Sequence, residues 1–223
     1  MNTKALVAEF IGVFALCFVG IFAIANAGAG ATNLTGVALA HGLAIAVMVA
    51  AFAAVSGAHF NPAVSLAMLV TKRITASGFF GYLIAQILGG AVAALIAGIV
   101  LGTPAVAGGT PTIADGVTAV NALIAEIVCT FFLVAVIFGS AVDKRNSGQA
   151  PLYIGLVIIA GILAIGPLSG AALNPARYIG PAIVGGAFGP NFWVWILGPC
   201  IGAVIAAFLF DGVIFKNEPE ASE

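Results

Sequence analysis

Asn61-Pro62-Ala63 and Asn174-Pro175-Ala176 are the residues of this chain best placed to do chemistry, and they stand in duplicated frames. Ser56-Gly57-Ala58-His59-Phe60 leads into the first triplet and Ser169-Gly170-Ala171-Ala172-Leu173 into the second. Asn followed by Pro reads as a helix start, because Asn is a favoured N-cap and proline in the first turn gives up an N–H that has no intrahelical partner. Each frame therefore predicts an irregular, glycine-containing stretch running into a short helix, over about 61–70 and 174–184. A helix N-terminus carries roughly half a positive charge, and an Asn amide can donate to an oxygen. Two such ends facing one another disfavour cations and protons but accept an uncharged molecule with lone pairs. The carbonyls of Gly57, Ala58, His59, Phe60, Gly170, Ala171, Ala172 and Leu173 would add a polar stripe along an otherwise apolar tube. A single Asn-Pro-Ala could be no more than a cap in a loop; two copies in matching frames argue against that.

Other chemistry-bearing residues are few. Arg177 follows the second triplet, where a charge near mid-membrane costs at least about 2.5–3.5 kcal/mol and belongs in a bundle interior or a water path. Glu9 and Glu126 lie in long apolar runs, each after an alanine. Intramembrane acids could couple protons or support irregular backbone. His41 sits in an apolar run, where a lone histidine is more often a satisfied core residue, and His59 sits beside the first triplet, where an imidazole could sense pH. Cys17, Cys129 and Cys200 all fall in apolar runs and read as small hydrophobes, with no disulfide or metal site. Without a nucleophile–base pair or a metal-ligand cluster, neither an enzyme nor a cofactor is expected.

The elements that must hold these residues are membrane helices. The chain is 62% hydrophobic and 7% charged over 223 residues, against about 25% charged in soluble domains. Its solvent is therefore the lipid bilayer. The near-zero net charge of -1 gives no reason to expect a nucleic-acid partner. Gly/Pro-rich breaks mark six long apolar segments, about 5–26, 33–54, 79–102, 118–142, 151–169 and 192–215. The first lacks a convincing cleavage signal and is expected to be kept. The pieces at 61–70 and 174–184 are too short to span.

Lys4, Lys72, Arg73, Lys144, Arg145 and Lys216 all fall on one side of that arrangement, so both termini should be cytoplasmic. Loops 27–32, 103–117 and 170–191 lie opposite, with Arg177 their one basic residue. The Ser-Gly-Ala frames recur at an offset of 113, as does Gly42-Leu43 in Gly155-Leu156, while Ala8-Glu9 recurs as Ala125-Glu126, shifted by four more. Three spans per half make the repeats inverted, with their ligand path near mid-membrane. A single channel domain over 1–223 is expected, with repeat one about 1–108, repeat two about 109–223 and a polar, disordered tail at 216–223.

The stretches Ser-Gly-Ala-His-Phe-Asn-Pro-Ala-Val and Ser-Gly-Ala-Ala-Leu-Asn-Pro-Ala-Arg resemble the two signature loops of the aquaporin, or major intrinsic protein, family, and the resemblance covers nearly the whole chain. It implies an all-α membrane fold of six tilted helices plus two half-helices, one pore per subunit, and a homotetramer. It implies a selectivity ring of His41, Ile162, Ala171 and Arg177, and structural roles for Glu9 and Glu126 in holding the half-loops. It aligns Leu16, Ile45 and Leu133 with apolar pore-wall positions, with packing against lipid or core as the plain alternative. Strict water channels of the family usually place Phe, His and a small residue beside the arginine, and glycerol channels Trp, Gly and Phe. This ring departs from both and is similar to that of some plant vacuolar aquaporins and ammonia-permeable channels.

Tyr178 stands where glycerol facilitators carry Asp, whereas Ile196, beside Trp195, departs from the aromatic pair of water channels. The expected function is a passive water channel that excludes ions and also passes ammonia or other small neutral solutes. A facilitator of glycerol, urea, ammonia or a protonated small acid stays open beside it, as do a proton-coupled transporter and a structural membrane protein. Lean loops and small size point to a microbial plasma membrane.

Overall fold

The computed structural model describes residues 2–143, 145, 146 and 148–215. Two of the orienting basic residues, Lys144 and Lys216, and the tail 216–223 lie outside them.

Nine α-helices are present among the described residues: α1 Thr3–Gly28, α2 Leu34–Ser56, α3 Pro62–Val70, α4 Ala76–Leu101, α5 Thr103–Gly109, α6 Ala119–Ile137, α7 Ala150–Ser169, α8 Pro175–Gly185 and α9 Val194–Leu209. Single π-helical turns, Phe138–Val142 and Phe210–Ile214, extend α6 and α9. With those turns included, six helices, α1, α2, α4, α6, α7 and α9, are long and apolar enough to cross a membrane. The start of α4 falls three residues earlier than the apolar pattern suggests, because Thr75 caps it by accepting from the Gly78 N–H. In the same way Asn33 caps α2 and Thr118 caps α6. The short α5 was not anticipated; proline in its first turn and Gly108-Gly109 at its end confine it to the connection between α4 and α6.

Small residues set the helix crossings, as expected where lipid removes the hydrophobic drive between helices. At the α2–α7 crossing a Cβ placed on Gly42 would lie 2.5 Å from the Gly155 carbonyl oxygen, and one on Gly155 would lie 2.6 Å from that of Gly42. Residues from α1, α2, α6 and α7 build one buried cluster around Phe60, Ala63 and Ala176. The long aliphatic and aromatic side chains that point outward, among them Phe80, Ile84, Ile99, Phe132 and Phe208, are exposed. That inversion of the usual rule is what a hydrocarbon solvent requires.

α3 and α8 are the half-helices. They begin at Pro62 and Pro175, and the chain enters each from a loop opened by a left-handed glycine, Gly57 at φ 82° and Gly170 at φ 75°.

Candidate functional site

Each half-helix is capped by its own asparagine. The Asn61 Oδ1 accepts from the Ala63 N–H at 2.8 Å, and the Asn174 Oδ1 accepts from the N–H groups of Ala176 and Arg177 at 3.0 and 3.3 Å. Capping fixes the rotamer, so each amide nitrogen points away from its own helix. Asn61 Nδ2 then donates to the Leu173 carbonyl at 2.8 Å, and Asn174 Nδ2 donates to the Phe60 carbonyl at 2.7 Å. The two N-termini therefore meet, and each asparagine clasps the last residue of the other loop. One N–H of each amide remains beyond this clasp, since an Asn carries two.

All eight residues of the expected carbonyl stripe border one of two cavities. Ala58, Phe60, Ala171 and Leu173 take positive φ between 46° and 52°, a conformation costing a non-glycine residue about 1–2 kcal/mol. The Phe60 and Leu173 carbonyls are not empty acceptors, because each already receives an asparagine bond. A carbonyl oxygen keeps a second lone pair.

The strained loops are held by the two buried acids. Glu9 accepts from the Ser56 hydroxyl, the His59 and Phe60 N–H groups and the Gln86 amide, at 2.6–2.9 Å. Glu126 accepts from the Ser169 hydroxyl and the Ala172 and Leu173 N–H groups, at 2.7–2.9 Å. Corresponding residues of the repeats thus do corresponding work. A second strut also repeats: the Tyr82 hydroxyl donates to the Ser56 carbonyl at 2.7 Å, and the Trp195 indole N–H donates to the Ser169 carbonyl at 2.8 Å. Ser56, Ser169, Tyr82, Gln86 and Ser65 were not singled out from sequence as site residues. The serines stood in the repeated frames, and Tyr82 and Trp195 share the offset of 113.

The four ring residues also converge. A cavity of about 360 Å³ on the side bearing Arg73 is lined by His41, Ile162, Ala171 and Arg177. A second, of about 370 Å³ on the opposite side, shares His41, Ile162 and Arg177 with it. The cavities therefore meet at these three side chains. His41 Nδ1 lies 2.8 Å from the Val37 carbonyl, which can only accept, so Nδ1 carries the proton and Nε2 a lone pair. That lone pair faces Arg177 Nη2 at 3.4 Å. Arg177 Nε and Nη1 are buried without a protein partner, so the guanidinium keeps donors in reserve.

Leu16, Ile45 and Leu133 line the first cavity, as do Val49, Val64 and Ile154, which makes its walls mainly apolar. At its mouth Arg73 pairs with Asp211 at 2.8 Å and lies over the Phe138 ring at 5.2 Å. Both partners sit in the π-helical turns that end α6 and α9.

Comparison with known proteins places the chain and its fold in a family. The family model described as "Major intrinsic protein" matches residues 1–210. The chain is 42% identical over 226 residues to "Aquaporin TIP4-4" of Zea mays, covering 96% of this chain and 88% of that protein. It is 39% identical over 221 residues to "Aquaporin NIP1-1" of the same plant, covering 97% and 77%. Among solved structures, the aquaglyceroporin from Plasmodium falciparum superimposes with a TM-score of 0.85 at 27% identity, over 95% of this chain and 96% of that one. With a family match over nearly its entire length and a fold shared with an aquaglyceroporin, the chain belongs to the major intrinsic proteins, as an integral, multi-pass member.

Proposed function

We propose that this protein is a passive water channel that excludes ions and protons and also passes ammonia or another small neutral solute. The observation that carries the reading is the crossed pair of asparagine amides, placed where two half-helices meet inside a cavity with apolar walls. Two helix dipoles and two spare amide donors solvate an uncharged oxygen there and repel hydronium. His41, Ile162, Ala171 and Arg177 act as the selectivity ring. The free Arg177 donors bind the permeant oxygen, and the guanidinium charge turns cations away.

The small Ala171 and the close approach of His41 to Arg177 favour a wider, more polar constriction than an aromatic ring would give. That supports passage of ammonia beside water. Glu9 and Glu126 act as supports, since each is filled with donors from the loop it holds. The curated relatives named above are both called aquaporins, which favours water over a solute facilitator as the main role. The working unit is a homotetramer, with water and small neutral solutes as its partners and each subunit carrying its own pore. The basic residues Lys4, Lys72, Arg73 and Arg145, all on one side, support cytoplasmic termini, and the lean loops fit a microbial plasma membrane.

Stopped-flow light scattering on proteoliposomes tests this. Shrinkage under a sucrose gradient should outpace protein-free vesicles by roughly tenfold or more, and re-swelling in each test solute identifies what else passes. Shrinkage at the lipid rate rejects the channel. Fast shrinkage with no ammonia-driven internal pH change above control removes the ammonia component alone.

A further inference from the structure

We infer that the His59 imidazole is a fixed hydrogen-bond donor in the water path, set by a relay of bonds that starts at the Glu9 carboxylate, and that it helps determine the rate of water passage. The inference rests on the channel reading above.

The relay can be followed proton by proton. Glu9 is wholly buried and receives four donors, Ser56, His59 N–H, Phe60 N–H and Gln86, an arrangement suited to an acceptor-only, ionised carboxylate. That acceptor dictates which end of the Gln86 amide faces it: Nε2, at 2.7 Å. The second N–H of the same nitrogen donates to the Ser65 Oγ at 3.1 Å. Ser65 is fully buried, and its one remaining contact in hydrogen-bond range is His59 Nδ1, at 3.1 Å. The serine proton therefore goes to Nδ1, which must be bare, and the ring proton sits on Nε2. Tyr82 packs edge-on against the ring at 5.1 Å between centroids and restrains its rotation. Nε2 is the end of the ring next to Gly57, 3.4 Å from where a Cβ on that exposed glycine would stand, and both residues line the cavity on the Arg73 side.

Nothing in the second half reproduces this. The positions matching His59, Ser65 and Gln86 at the offset of 113 are Ala172, Tyr178 and Pro199. The path is therefore asymmetric: a donor ring on the Arg73 side of the asparagine clasp, and His41 with Arg177 on the other. The two histidines also take opposite tautomers, His41 with its proton on Nδ1 and His59 on Nε2.

The chain has two histidines, so one spectrum tests both. In ¹⁵N-histidine-labelled protein in lipid at neutral pH, magic-angle-spinning NMR should show one neutral ring of each tautomer, and His59→Leu should erase the Nε2–H set. Ser65→Ala should leave His59 a mixture of tautomers and lower osmotic water permeability at least about twofold. A wild-type His59 protonated on Nδ1 or on both nitrogens overturns the inference, whether or not the variant folds. So does a Ser65→Ala protein with an unchanged tautomer or unchanged permeability. Wild-type permeability equal to that of bare lipid would instead sink the channel reading while leaving the tautomers to be judged from the spectrum.

Discussion

On the proposed channel reading, exclusion of charge falls to Arg177, a buried cation at the junction of the two cavities. Arg177→Ala should keep water permeability within a few-fold of wild type while raising proton leak at least about tenfold, read with a pH dye trapped in proteoliposomes. The acids carry stability instead. Glu126→Leu strands three donors in a buried site, at about 1–3 kcal/mol each. It should abolish accumulation of folded protein, seen as loss of the monodisperse peak in detergent chromatography. Trp195→Phe removes one indole bond to the Ser169 carbonyl but keeps an aromatic against Tyr178. It should cost only about 1 kcal/mol, a lowering of Tm by a few degrees. The triplets and the acids were legible because they recur in both halves, and the arginine because a charge is costly in lipid. Gln86 and Ser65 were not, since their counterparts Pro199 and Tyr178 are chemically unlike them, and a comparison of the two halves had nothing to match.

Among the elements, the α2–α7 crossing is the most exacting. Gly42 and Gly155 approach backbone to backbone, and neither position has room for a Cβ against the opposing carbonyl. Gly155→Val should push the helices apart, shift Ile162 on α7 relative to His41 on α2, and reduce both thermal stability and water selectivity. Differential scanning fluorimetry and glycerol-driven re-swelling would register the two effects. A variant that stays as stable as wild type would show that the crossing is not held by this contact. The long helices could be read from apolar length, and the half-helices from Asn-Pro. α5 could not, because a seven-residue helix in a Gly- and Pro-rich connection leaves no periodic pattern to detect. The π-helical ends of α6 and α9 were equally silent; Phe138, Phe210 and Phe215 pack ring against ring there, tertiary contacts that no local pattern announces.

At the scale of the molecule, one half of the chain supplies what the other lacks. The subunit is expected to assemble as a tetramer of 22.2 kDa chains, which light scattering coupled to chromatography would report as four protein masses per particle after correction for detergent. A monomer that conducts water at the full rate would remove the assembly from the functional account while leaving the pore within each chain intact. The amide clasp has a consequence for manufacture in the cell. When the first three spans leave the ribosome, the Phe60 carbonyl and the Asn61 side chain have no counterpart, because Asn174 and Leu173 have yet to be synthesised. The nascent chain must therefore shelter an unfinished polar turn, in the translocon or against a helper protein, until the later spans arrive and release it into the membrane as a completed whole.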